Sequence, residues 1–260
     1  MRENTFRTHL QSGARLVNGW LSTGDPLLAE TMAHAGFDAL TLDLQHGVSD
    51  LGEAMRVFQA ISTTATVPLV RVPWNDPATI MKVLDLGAYG VICPMIDTRA
   101  DAEAFVRACR YPPDGHRSFG PIRGLLYGGA EYPTRANTTV VAIAMIETRS
   151  ALEQLDDILT VPGLDAVFVG PADLSQALGG PAGTDWTDGP VPAAIDTILR
   201  RCVAHGVPAG IFTKSPAYGR AMHDRGFSFV TVGSDLGYVA AGARDVLGAI
   251  RHGSQTTPGG

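Results

Sequence analysis

Apolar and polar positions alternate along this chain in a repeating beat. A helix-like segment ends in Gly, and a β-prone apolar run follows within a few residues. AHAG ending at Gly36 leads to FDALTLD (37–43). LDLG ending at Gly87 leads to AYGVICP (88–94). VPG ending at Gly163 leads to LDAVFVG (164–170). AHG ending at Gly206 leads to VPAGIF (207–212), and HDRG ending at Gly226 leads to FSFVTVG (227–233). Gly just past a helix end accepts the left-handed conformation that closes it. RLVNGWLST (15–23), VPLVRV (67–72) and VVAIAMIE (140–147) complete eight strand candidates. Most are continuously apolar, as parallel strands covered on both faces require. Helices are predicted over 25–35, 50–62, 76–86, 99–109, 150–160, 191–205, 215–225 and 235–251. Eight strand–helix units in 260 residues predict one (β/α)8 barrel, a TIM barrel, spanning 1–260. Its ordered core is expected over about 12–252, with a flexible tail at 253–260. An open doubly wound sheet is the alternative that periodicity leaves standing.

The stretch 111–139 breaks the beat. It is rich in Gly, Pro, Arg and Tyr and reads as a long functional or mobile loop. No apolar run approaches the length of a membrane-spanning helix, and the N-terminus has no signal-like apolar segment. A net charge of −6 speaks against nucleic acid or an anionic membrane as partner. Cys93, Cys109 and Cys202 are few, odd in number and far apart, which fits the reducing cytoplasm and neither a disulfide framework nor a zinc motif.

In a barrel of this type the chemistry sits where strands end. Those ends carry Asp43 and His46 after the second strand, Arg71 in the third, Glu147 after the fifth, and Gly170-Pro171-Ala172-Asp173 after the sixth. Asp85 lies near the end of the third unit's helix. Glu147 and Asp173 stand one βα unit apart, so both carboxylates reach the same rim. Two hard oxygen ligands there, completed by water and a chelating substrate, suit Mg²⁺ or Mn²⁺. Helix capping is the bland alternative for both acids. His46, followed by Gly47 and a helix cap at Ser49 or Asp50, can act as a general base near neutral pH. Arg71 is a charge inside an apolar run, which calls for either a structural ion pair or a substrate anion. The N–H groups of the turn at Gly170 can hold a carboxylate, and VGSD (232–235) is a weaker second cradle because Asp235 repels anions. Trp20 and Phe212 near strand ends can line a pocket, with the 111–139 stretch as a further candidate wall. Lys82 and Lys214 are the only lysines, and only Lys214 is placed to form a Schiff base.

Together these segments resemble the HpcH/HpaI family of metal-dependent pyruvate aldolases over about 12–252. LDLQHG (42–47), the RVP and NDPATIMKVLDLGAYGVICPMI run (71–96), YPPDGHRSFGP (111–121), AMIET (144–148) and VFVGPADLS (167–175) carry the likeness. The resemblance implies a divalent metal (Mg²⁺, Mn²⁺ or Co²⁺) on Glu147 and Asp173. It implies a 2-oxo acid gripped by N–H groups around Ala172 and Asp173, Arg71 on the enolate oxygen, and His46 made more basic by Asp85 to move the proton of the aldol hydroxyl. The reaction implied is reversible cleavage of a 4-hydroxy-2-oxo acid to pyruvate or hydroxypyruvate plus an aldehyde. The same resemblance implies a hexamer of paired subunits that exchange their C-terminal helix, here 235–251. Two positions depart from the family: Gln45 stands where many members carry Glu, and Met145 where many carry Gln, and both bear on substrate range. A lyase acting on CoA thioesters, or of the phosphoenolpyruvate type, and a non-catalytic 2-oxo-acid sensor are the competing functions on such a barrel.

Overall fold

The computed structural model describes residues 1–252. Eight parallel strands close into a barrel in strict chain order: β1 (Leu16–Leu21), β2 (Ala39–Asp43), β3 (Val67–Arg71), β4 (Gly90–Cys93), β5 (Val141–Ile146), β6 (Ala166–Val169), β7 (Ala209–Thr213) and β8 (Phe229–Val232). β8 returns to pair with β1, Leu16 opposite Phe229, which excludes the open doubly wound sheet. All eight predicted strands are present.

The continuous apolar runs now have a reason. Alternate residues point to opposite sides of each strand, and here both sides are dry. Leu16, Trp20, Leu69, Ile92, Ile143, Met145, Phe168 and Phe229 fill the barrel interior. Leu21, Leu40, Val70, Val91, Ala144, Val169 and Ile211 face outward into the layer beneath the helices.

Those helices include α2 (Pro26–His34), α3 (Leu51–Ile61), α4 (Pro77–Asp85), α5 (Arg99–Cys109), α11 (Pro190–His205), α12 (Pro216–Arg225) and α13 (Asp235–His252). Local chemistry starts them. Asp25 and Asp76 cap α2 and α4 immediately before Pro at the first helical position, and Asp50 with Glu53 forms a capping box on α3. Asp50, not Ser49, is therefore the cap after His46. The five glycines of the repeating beat all lie at positive φ, from 67° at Gly206 to 116° at Gly226. The segment predicted as one helix over 150–160 is two short ones, α8 (Arg149–Glu153) and α9 (Leu155–Leu159), broken at Gln154.

Three further parts of the fold differ from what the sequence predicts. Helix α1 (Thr5–Gln11) plugs the N-terminal mouth of the barrel. Phe6 meets Phe229 edge-on at 5.4 Å, and Asn4 donates to the Tyr89 and Thr139 carbonyls at 3.0 and 2.8 Å. The packed core thus starts well before residue 12. Two apolar residues in a polar stretch suffice for this plug, and they leave no visible periodicity. The 111–139 stretch is largely helical, with α6 (Ile122–Gly128) and α7 (Tyr132–Thr139), and it wraps the N-terminal face rather than the rim. Tyr127 packs on Tyr89 at 4.7 Å, and Arg123 donates to the Leu86 and Phe58 carbonyls. A further short helix, α10 (Pro171–Ala177), follows β6. The tail expected at 253–260 lies outside the described residues.

Helix α13 is tied to the barrel at its first residue. The buried Asp235 carboxylate accepts from the Ser22 and Thr23 amides at 2.9 and 3.1 Å and from the Thr23 hydroxyl at 2.8 Å. Asp235 is thus a latch between β8 and β1, not part of an anion cradle. Beyond it, Leu236, Val239, Val246, Leu247 and Ile250 are exposed.

Candidate active site

The C-terminal ends of the strands surround a cavity of about 240 Å³. Trp20, His46, Arg71, Gly170, Ala172, Asp173 and Phe212 all line it, joined by Met145, Phe168 and the hydroxyl side chains Ser22, Thr184 and Ser234. No residue of 111–139 reaches it, so that stretch shapes no pocket wall. The floor is aromatic: Trp20 stacks on Phe168 at 5.8 Å and meets Phe212 edge-on at 5.7 Å. Met145 extends this apolar surface.

Asp43 and Arg71 close their strands directly opposite each other. The guanidinium grips the carboxylate in a fork: Nε donates to Oδ1 at 2.9 Å and Nη2 to Oδ2 at 2.6 Å. Oδ1 also accepts from the Gln45 and His46 amides at 3.0 and 3.2 Å, and Oδ2 from Trp20 Nε1 at 3.2 Å. Burial works to raise the Asp43 pKa, but the Arg71 hydrogen bonds and charge and the two amides outweigh it and hold the carboxyl below its ordinary range. Arg71 lies over the Trp20 ring at 4.9 Å. Its Nη1 makes no hydrogen bond among the described residues while the side chain lines the cavity. Arg71 is thus both ion-paired and presented to the pocket. Asp43 is the residue whose part the sequence reading left unassigned. Its signal was available in the matched positions of Asp43 and Arg71 at the ends of adjacent strands.

Glu147 follows β5 and is 2% exposed. Among the described residues its carboxylate pairs with no cationic side chain. Oε1 accepts the Met95 amide at 2.9 Å. Burial, and after it the charge of Asp173, push its pKa up to about 7, against the Met95 hydrogen bond and the charge of Arg71. Asp173 is exposed in the first turn of α10. The capping alternative fails for both acids: Thr148 caps the helix after Glu147, and Gly170 stands at the cap before Asp173. A desolvated carboxylate lacking a counter-charge, and felt by the charge of a second carboxylate, fits a divalent cation, whose charge would relieve the repulsion. Among the described residues no group of three or more His, Cys, Asp or Glu side chains gathers.

His46 is exposed at the rim, anchored through its amide to Asp43. Asp85 is not its partner within this chain. It ends α4, and helices that return from the rim end on the far face of the barrel. There it accepts from Arg117 Nη2 at 2.7 Å. Arg117 is itself buried between Tyr111 and Tyr132, at 4.4 and 5.8 Å from their ring centres. Within one chain Asp85 therefore pairs with Arg117 and makes no hydrogen bond to His46. Lys82 and Lys214 are both exposed and outside the cavity lining, so neither has the desolvation an imine-forming lysine needs.

Fold and site together define a barrel of the enzyme type, with a small cavity at its strand ends bordered by one carboxylate, one fork-held arginine and an aromatic floor. The HpcH/HpaI aldolase/citrate lyase family model matches residues 17–241, and the chain belongs to that family. It is 42% identical over 248 residues to a hydroxypyruvate/pyruvate aldolase of Rhizorhabdus wittichii, covering 95% of this chain and 99% of the relative. It is 35% identical over 236 residues to a 5-keto-4-deoxy-D-glucarate aldolase of Escherichia coli, covering 90% and 91%. The crystal structure of an HpcH/HpaI aldolase/citrate lyase family protein from Burkholderia cenocepacia superposes with a TM-score of 0.90 at 32% identity, covering 95% of this chain and 99% of that one.

Proposed function

We propose that this chain is a divalent-metal-dependent pyruvate aldolase. It reversibly cleaves a 4-hydroxy-2-oxo acid to pyruvate, or hydroxypyruvate, and an aldehyde. The observation that carries this reading is Glu147: a buried carboxylate that pairs with no cationic side chain among the described residues, against Gly170 of the cavity wall and within the electrostatic influence of Asp173 and Arg71. Breaking a C–C bond next to a ketone leaves an enolate, and its charge needs a positive group. No lysine is placed to supply one as an imine. Glu147 and Asp173 would hold Mg²⁺, Mn²⁺ or Co²⁺, which when bound supplies Lewis-acid stabilisation of that charge.

The chain's own residues do the rest. Amides of Ala172 and Asp173 at the start of α10 receive the carboxylate of the 2-oxo acid. Arg71, two of its nitrogens held by Asp43, keeps Nη1 for the developing enolate oxygen. The fork fixes the guanidinium before substrate arrives, so little reorganisation accompanies the reaction. His46 takes the proton of the C4 hydroxyl in cleavage and returns it to the alkoxide in synthesis. Trp20, Phe168, Phe212 and Met145 keep water from the carbanion face.

The exposed apolar residues of α13 support a homo-oligomer in which this helix docks on a neighbouring barrel, a hexamer in the family's manner. Light scattering of the intact chain and of a Leu247→Glu, Ile250→Glu variant tests it. No helix among the described residues is long and apolar enough to cross a membrane. The cysteines are buried free thiols, in keeping with a cytoplasmic enzyme.

The deciding assay uses chelator-stripped protein and a 4-hydroxy-2-oxo acid, with released pyruvate measured with and without added Mg²⁺, Mn²⁺ or Co²⁺. Release restored by metal supports the proposal. Folded protein that stays inactive with every metal overturns it, and release indifferent to stripping returns attention to Lys214.

A further inference from the structure

Two backbone features that meet at Glu147 have no part in the chemistry above. The first is Met95, in the turn after β4. Its φ is 54°, in the left-handed region that L-residues other than Gly, Asn and Asp seldom enter. That conformation costs free energy, and such outliers persist where the surroundings hold them. Here it places the Met95 amide 2.9 Å from Glu147 Oε1. The second is Gly170. Its φ of −97° is open to any residue, so its backbone conformation does not demand glycine. Space does. A Cβ there would stand 2.5 Å from Glu147 Oε2, 3.0 Å from Met145 Cε and 3.2 Å from Glu147 Cβ. The two nearest of these atoms are the ends of flexible side chains, so the carboxylate oxygen and the Met145 methyl would shift while the backbone stays in place.

We propose that Met95 and Gly170 are positioning residues that set the affinity of this site for its divalent cation, by fixing one oxygen of Glu147 and leaving room for the other. The inference rests on the reading of Glu147 and Asp173 as metal ligands. It gives Gly170 a task distinct from contact with substrate. With Oε1 held by an amide, rotation of the carboxylate is blocked and Oε2 is the oxygen left to face a cation. A methyl group at 170 would push that oxygen out of place without removing any ligand. Outer contacts that orient a ligand typically affect metal affinity by ~10–100-fold.

The test is Mn²⁺ binding, read as free Mn²⁺ by electron paramagnetic resonance on the intact, chelator-stripped chain, without a turnover assay. Gly170→Ala should weaken Mn²⁺ by ~10-fold or more while metal-free thermal melting stays close to wild type. Met95→Gly keeps the amide and adopts the left-handed turn without strain, and it should bind within about threefold of wild type. Met95→Val resists that turn because it is β-branched, and it should lose about tenfold. The order Gly above Val is opposite to what a role for the Met95 side chain would produce. If Gly170→Ala does not fold, the Met95 pair carries the test. Glu147→Gln separates the two readings. If it binds Mn²⁺ like wild type, the ligand assignment falls. If it loses Mn²⁺ while Gly170→Ala and Met95→Val do not, the ligand assignment stands and the positioning inference falls.

Discussion

Replacing Asp43 with Asn keeps the shape of the side chain and reverses half of its polarity. The carboxylate accepts five hydrogen bonds, three on Oδ1 from Arg71 Nε, Gln45 N and His46 N, and two on Oδ2 from Arg71 Nη2 and Trp20 Nε1. Whichever way the amide turns, its NH₂ group faces at least two donors, one of them on Arg71. The buried guanidinium also loses its counter-charge. Breaking a fully buried pair by removing one partner costs ~3–5 kcal/mol. Arg71 borders the cavity and water can reach Nη1, so the lower end applies, about 3 kcal/mol, or roughly a 150-fold fall in the folded-to-unfolded ratio. Catalysis should fall with it, by ~10²-fold in kcat/KM, because the fork that aims Arg71 and the amide bond that seats His46 are lost together. Urea unfolding followed by circular dichroism reads the first effect, and a coupled pyruvate assay reads the second. A loss below about 1 kcal/mol with kcat/KM within threefold of wild type would refute the view that Asp43 organises this rim.

The other expectations concern the remaining site groups. His46→Ala should lower kcat by ~10²–10⁴-fold with Mn²⁺ binding intact, and turnover near wild type would remove His46 from the proton transfer. Burial, chiefly, puts the Glu147 pKa at about 7 in the folded chain against an ordinary 4.5, so the folded state holds an extra proton between those values. Its contribution to metal-free stability is therefore full below pH 4.5 and lost as pH rises through 7, a difference of ~3 kcal/mol at most that Glu147→Gln should abolish in parallel denaturation curves. For the same reason Mn²⁺ affinity should fall about tenfold per pH unit below 7, and a flat titration would contradict it. Asp85→Asn strands the buried Arg117 and should cost ~2 kcal/mol or more in urea unfolding; wild-type stability with a displaced pH–rate limb would instead restore Asp85 to His46. Arg71 is the one Lys or Arg side chain among the described residues lining the cavity, and Asp43 already occupies it. An uncharged aldehyde such as glycolaldehyde should therefore exceed succinic semialdehyde by about tenfold or more in kcat/KM, and equal rates would disprove it.

The sequence by itself determined eight strand–helix units and pointed to most of the rim residues, while the pairing of β8 with β1 that closes the barrel came from the tertiary structure. Eight apolar runs, five of them directly preceded by a Gly-terminated helix end, specify strands buried on both faces, and that information is local: apolar pattern, caps such as Asp50 and Asp76, and glycines at positive φ. The rim residues were legible for the same reason. His46, Arg71, Glu147 and Asp173 each stand within an apolar run or just past its end, where the strand ends of a barrel collect its chemistry. Helix α1 and the helices within 111–139 were hidden because their burial comes from a few contacts across the chain, such as Phe6 on Phe229 and Arg117 between two tyrosines, and leaves no periodic trace. Only the tertiary structure decided who partners whom. It gave Arg71 to Asp43 through strand register and gave Asp85 to Arg117 because α4 runs away from the rim. It also brought the Met95 amide and the bare Cα of Gly170 against Glu147, from loops that follow three different strands. Hydrogen bonds, ion pairs and close contacts act over a few ångströms, and residues 23 to 52 positions apart come within that reach only when the barrel closes.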